Sequence, residues 1–160
     1  MGAIQAQDYA GAKWSIGLRI PGITDKNVEK ALKDKSIVRT WTLRGTLHFV
    51  SSSDLHWILE ILSPHIISRN NRRYKQLNLD DETLSKSNAI LSNSLMDGNQ
   101  LTRTELLDII EQEGISTDGQ RAAYMLQRAS LDGLICQSIM KRNNPTYIST
   151  KGFILSLIHI

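Results

Sequence analysis

A single cysteine, Cys136, leaves no partner for an internal disulfide and no ligand set for a cysteine-based zinc site. The four histidines show neither an HExxH string nor paired metal spacing, so no metal site is expected, and no cofactor. No stretch approaches the roughly 20 consecutive apolar residues that span a bilayer. The opening residues, MGAIQAQDYAG, lack a basic segment followed by an apolar run. No signal peptide is read there, and a cytoplasmic protein is expected. Three prolines and no low-complexity tract interrupt the chain. A hydrophobic content of 41% over 160 residues excludes intrinsic disorder and suits one domain, or two very small ones.

Charge is present in near balance, with a net +3, but it is unevenly spread. Residues 65–78 carry Arg69, Arg72, Arg73 and Lys75 and no acid. Residues 79–117 hold two basic and eight acidic residues, and residues 118–150 are basic again. A mildly basic chain permits a nucleic-acid partner without demanding one.

The spacing predicts a first helix from Met1 to about Arg19, weakened by Gly11 and Gly17 and broken by Pro21-Gly22. Thr24 caps a short second helix to about Lys35. Alternation from Ile37 to Val50 reads as a strand, with Gly45 as a bulge in one long strand or as a hairpin tip; the bulge is favoured. Leu55, Ile58, Leu59 and Leu62 continue at helical spacing until Pro64 kinks or restarts the helix, and Arg69–Lys75 reads as a basic connector. Asp80 to about Met96 is helical. Thr102-Arg103-Thr104-Glu105 is a capping box for a helix to Glu113, and Thr117-x-x-Gln120 starts another, to about Asp132. Leu134–Ser138, a turn at Lys141–Pro145, and Thr146–Ser149 read as strand, turn, strand. Helix, helix, helix, strand, basic turn, strand is the order of a winged helix, whose third helix enters a DNA groove.

On the 118–132 helix, Ala122, Met125, Leu126 and Ala129 form an apolar stripe. Gln120, Arg121, Tyr124, Gln127 and Arg128 take the other side. Arg and Gln pair with guanine and adenine edges, and Tyr124 with Lys141 and Arg142 of the wing suits phosphates. These residues, with Arg72 and Arg73, make the expected DNA-binding set, and Arg121→Ala is expected to weaken binding. Near the N-terminus, Ile4-Gln5-Ala6-Gln7-Asp8 sets two amides two residues apart. They share a face only if the backbone is extended or the helix irregular.

The run IQAQD, followed by Trp14, Leu18 and Arg19, and the string VRTWTLRGTLHFVSSSDL at 38–55 resemble a winged-helix DNA-binding family. That family includes the AlkZ/YcaQ-like bacterial DNA glycosylases, and the likeness covers roughly residues 2–150. The resemblance implies an α+β, mainly α, tandem winged-helix fold. It implies an incomplete first unit with its basic connector at 1–78, a second unit at 79–150 and an apolar tail at 151–160.

For function, the resemblance implies a DNA glycosylase that hydrolyses the N-glycosidic bond of alkylated purines; with no Lys placed for a Schiff-base step, any such enzyme is expected to be monofunctional. Gln5 and Gln7 fall on the family's Gln-x-Gln motif, the form associated with unhooking interstrand crosslinks. The partner implied is double-stranded DNA, alkylated or crosslinked. An N-alkylated purine is already cationic, so two amide carbonyls can support the developing oxocarbenium ion and orient water without a tuned carboxylate. Arg44, Thr46 and His48 fall on the polar face of the strand and are assigned to the phosphate backbone or lesion strand. Trp14 and Trp41 are assigned to the core. Relatives usually carry a helix upstream and further winged-helix and β-rich parts downstream, so the chain reads as fragment-like. The tail Phe153–Ile160 is read as a packing strand, a self-association element or an artefact. A non-enzymatic winged-helix DNA-binding protein, such as a transcriptional regulator, is the alternative, and a winged helix used for protein contacts through the acidic 79–117 surface is a third reading.

Overall fold

Backbone hydrogen bonds decide the N-terminus. The computed structural model describes residues 2–151, and there Ala3–Gln5 is a strand (β1), not the first turn of a helix. The first helix, α1 (Tyr9–Arg19), starts late because the Asp8 carboxylate caps it, accepting from the Gly11 N–H at 3.1 Å. Thr24 forms a capping box with Asn27 at the head of α2 (Asp25–Lys33).

The segment read as one bulged strand is a hairpin. β2 (Ile37–Trp41) and β3 (Leu47–Ser51) pair from Ile37↔Ser51 to Trp41↔Leu47 around a short 3-10 turn at Leu43–Gly45. Arg44 at φ 59° and Gly45 at φ 70° place two successive residues in the left-handed region, which reverses the chain where a bulge would only bend it. The following helix, α3 (Leu55–Gln76), runs through Pro64 without a break and takes up the supposed connector Arg69–Lys75.

The second half keeps the expected order: α4 (Asp81–Ser94), β4 (Leu101–Thr102), α5 (Arg103–Gln112), α6 (Arg121–Leu131), β5 (Ile135–Lys141) and β6 (Asn144–Ser149). The Thr102–Glu105 capping box forms. Thr117 does not cap α6: its hydroxyl bonds Glu111, and the N-cap is Gln120, which makes no side-chain cap bond. Arg142 and Asn143, at φ 50° and 62°, close the β5–β6 hairpin.

All strands join one antiparallel sheet in the order β1-β3-β2-β5-β6-β4. The register sets Ile4, Phe49, Arg39, Gln137, Tyr147 and Leu101 in a single row across it. That row is a palindrome in chemistry, with Arg39 and Gln137 at its centre. The hairpin 135–149 repeats the open end of 37–51, with Ile135 and Ser149 paired as Ile37 and Ser51 are, but it carries a bulge between Gln137 and Met140 that the first hairpin lacks. Strand, helix, helix, hairpin therefore occurs twice, about a pseudo-two-fold axis between β2 and β5. α4 precedes the second copy and has no counterpart among the described residues of the first.

Each copy builds its own core on the same face of the sheet. Ala12, Ile16, Val28 and Leu32 pack on Phe49; Leu106, Ile110, Met125 and Leu126, with Leu84 and Leu91 of α4 and its C-cap Leu95, pack with Tyr147. α3 covers the opposite face with Leu55 and Leu59 on Val38, Cys136 and Ile148. Its far end delivers Tyr74 to the second core, so one long helix ties both units together.

Covering both faces buries much of the polar face expected of the strand: Thr40, Thr42 and His48 lie inside, as does Arg39 on the opposite face, while Arg44 stays exposed. Trp41 is half-buried against the second core, but Trp14 is 72% exposed, contrary to its assignment as a core residue. The tail Phe153–Ile160 lies outside the described residues. Among those described, no helix is long and apolar enough to cross a membrane, and no cluster of His, Cys, Asp and Glu could hold a metal ion.

Burial pushes the Tyr147 phenol up to about 12, opposed in part by the Gln137 hydrogen bond. A pKa raised by folding stabilises the protein fully below the unfolded value of about 10, and that stability is lost as pH climbs towards the folded one. Urea unfolding across this window is expected to show the loss shrinking in Tyr147→Phe, which has no phenol to ionise.

Candidate functional site

Gln5 ends β1 and Gln7 follows one buried residue later. Because Ala6 continues the strand's pairing with Leu47 before the chain bends at Gln7, both amides come to the same spot: Gln5 Nε2 donates to Gln7 Oε1 at 3.1 Å. Both side chains are exposed. They open onto a surface cleft of about 540 Å³ between β1 and α1, shared with Asp8, Ser15 and Arg19.

The backbone beneath them is clamped from two sides. Ala6, fully buried, donates its N–H to the Leu47 carbonyl at 2.7 Å. Arg39, 6% exposed, donates from Nε to the Ala6 carbonyl at 2.7 Å and from Nη2 to the Gln7 carbonyl at 3.0 Å. Its third arm, Nη1, reaches Gln137 Oε1 in the other unit at 2.9 Å, and the guanidinium carbon lies 5.7 Å from the Tyr9 ring centroid. Burial lowers the Arg39 pKa, while the nearby Tyr147, Tyr9 and Asp8 work the other way. Asp8 is committed to capping α1, and a Cβ at Gly11 would lie 2.6 Å from its carboxylate oxygen. The glycine there leaves room for the cap.

β1–β3 pairing brings the first hairpin's residues to the same end of the sheet, with Gln5 opposite His48. His48 is buried, and its Nδ1 lies 3.0 Å from the Thr46 carbonyl. The Thr46 hydroxyl donates to the Leu43 carbonyl within the turn. Both are therefore occupied by structural bonds, whereas Arg44 is exposed at the hairpin tip.

The helix expected to enter a DNA groove is not a free rod. Its polar face is docked on α3 and the neighbouring loops. Gln120 accepts from Arg73, Arg121 donates to the backbone carbonyls of Ser116, Leu77 and Asn78, and Tyr124 meets Tyr74 edge to face. Gln127 bonds Asn70 and the Gly45 carbonyl, and Arg128 pairs with Asp132 while lying over the Tyr74 ring. Gln120, Arg121 and Arg128, assigned to base edges, and Tyr124, assigned to phosphate, thus already carry intramolecular contacts. Arg73 is spent on Gln120 and Gln76, while Arg72 remains exposed. Lys141 and Arg142 are exposed on the second hairpin tip.

The corresponding helix of the first unit, α2, is open. Val28 and Leu32 face the core, and Lys26, Lys30 and Lys33 form an outward stripe. Among the described residues only Lys30 has an acidic partner there, Asp34 at 3.3 Å, and that pair is exposed. The sequence held the signal, since positions 26, 30 and 33 recur at helical spacing. It was outweighed by the clearer capping boxes of the second half.

A family model for AlkZ-like DNA glycosylases matches residues 1–153. No curated protein sequence matches the chain. Among solved structures, the Streptomyces sahachiroi DNA glycosylase AlkZ superimposes with a TM-score of 0.77 at 21% identity. The alignment covers 92% of this chain and 41% of that one. The chain thus spans less than half the length of its solved neighbour and shares its fold. With the family model spanning nearly every residue, including the paired glutamines and the clamp beneath them, the chain belongs to the AlkZ-like DNA glycosylase family.

Proposed function

We propose that the chain is a DNA glycosylase-type unit that binds duplex DNA and hydrolyses the N-glycosidic bond of alkylated purines, with Gln5 and Gln7 at the reacting centre. The observation that carries this reading is the exposed pair of amides at the mouth of the β1–α1 cleft, in a chain of this family. A cationic N7- or N3-alkylated purine leaves without general-acid protonation. What remains is to stabilise positive charge on the sugar and to hold the attacking water. Amide oxygens serve both needs as fixed dipoles. The cleft is a surface feature, which suits a bulky or crosslinked base that a closed pocket would reject. Incubating the chain with a duplex carrying 7-methylguanine and measuring free base tests the reading. Release above the spontaneous rate is expected, and release no faster than from DNA alone overturns it.

For DNA binding we assign the phosphates to Lys26, Lys30 and Lys33 of α2, with Arg44, Arg72, Lys141 and Arg142. Removing one phosphate contact lowers the slope of log affinity against log salt by about 0.9. Lys26→Ala combined with Lys33→Ala is therefore expected to flatten that slope by nearly two. Arg121→Ala should leave the slope unchanged and cost about 1–2 kcal/mol of stability through its lost carbonyl bonds. Fluorescence titration over a salt series together with urea unfolding checks both. A binding-only protein, the alternative reading, would keep the salt slope and release no base.

A further inference from the structure

Arg39 sits where the two winged-helix units meet, yet two of its three donating arms end on the backbone of the Gln5–Gln7 segment. We propose that Arg39 is a positioning residue for that site, and that Gln137 of the second unit sets Arg39, so that the amide pair is completed by both units. The inference rests on the glycosylase reading for its catalytic consequence and on the geometry alone for the positioning.

The bonds form one chain across the seam. Tyr147 accepts from Gln137 Nε2 at 3.0 Å, Gln137 Oε1 accepts from Arg39 Nη1, and Arg39 Nε and Nη2 hold the Ala6 and Gln7 carbonyls. Gln137 lies opposite Arg39 in the β2–β5 register and does not line the cleft. The planar fork of arginine is needed because its donors point in fixed, divergent directions at three acceptors; a lysine ammonium, a point charge on a flexible stem, cannot hold all three. With Leu47 holding the Ala6 N–H from the other side, the peptide planes at Ala6 and Gln7 have little freedom to rotate. The Gln7 side chain inherits that order. Among the described residues, the row Phe49–Arg39–Gln137–Tyr147 is the only one that spans both hairpins at the axis, so it can report the docking of one unit on the other to the amides.

The test uses Arg39→Lys and Gln137→Met in the full chain, with thermal melting to confirm folding. Single-turnover release of 7-methylguanine at saturating protein is measured beside the dissociation constant for the same duplex. Small misplacements of a reacting group cost up to about 100-fold in rate. Arg39→Lys is expected to slow release on the order of tenfold, and Gln137→Met about threefold, with affinity within about twofold of the parent in both. Release at the parent rate in both variants overturns the proposal, as does a loss confined to affinity. A second arm needs no activity: ¹⁵N relaxation of the Gln7 and Asp8 backbone amides and the Gln7 side-chain amide. Raised mobility there in Gln137→Met supports the proposal, and unchanged mobility overturns it. If the parent releases no base, the glycosylase reading fails and this second arm alone decides the positioning role. If Arg39→Lys does not fold, Gln137→Met carries both arms.

Discussion

Replacing Gln5 and Gln7 together by alanine is expected to remove base release almost entirely while sparing DNA affinity. The two amides touch each other at 3.1 Å and are otherwise exposed, so the fold does not depend on their side chains. Preorganised dipoles aimed at developing charge are each worth about 100-fold or more in rate. The double variant should therefore fall by at least that factor in single-turnover release. The single variants should be strongly non-additive, since either amide alone loses the partner that orients it. Neither amide titrates, so the parent rate is expected to stay flat from about pH 6 to 8, where a carboxylate or histidine base would give a sloping profile. Release at the parent rate in the double variant would remove both residues from the chemistry. A loss of binding equal to the loss of rate would recast them as contacts to undamaged DNA.

The largest expected effect on stability lies far from the site. Leu91 is fully buried in the second core, among Leu84, Leu95, Leu106 and Met125. Leu91→Ala is expected to cost about 3 kcal/mol, the sum of lost transfer energy and the cavity left behind. For a chain of this size that corresponds to a fall of roughly 6–12 °C in Tm. Leu18 of α1 is 69% exposed, and Leu18→Ala should stay within about 0.5 kcal/mol of the parent. The two leucines are chemically identical and both lie on helices, so the contrast isolates burial. Calorimetry on both variants checks it, and equal shifts would contradict the packing described for the second unit.

The same contrast shows how far the residues alone could lead. Thr24 and Thr102 announced their helices because a capping side chain three residues ahead of its N–H is a local device. The β5–β6 hairpin and the order of the second unit were legible for the same reason. Residues 3–5 were not, since a three-residue strand has no periodicity of its own and exists through its pairing with β3. The turn at Arg44-Gly45 was misjudged because alternation continues across it by coincidence of spacing. Trp14 was assigned inward by its apolarity, yet the described residues leave it 72% exposed.

Local chemistry alone settled where most helices start and the order of elements in the second half; that Gln5 and Gln7 meet as a pair followed only from the pairing of β1 with β3. Tertiary structure settled what each surface is free to do. It docked the polar face of α6 on α3, left the lysines of α2 in water, and set Arg39 under the glutamine backbone. A cap or a turn is fixed by neighbours a few residues away. The exposure of a charged side chain depends on which distant element packs against it, and that is written in no short stretch of sequence.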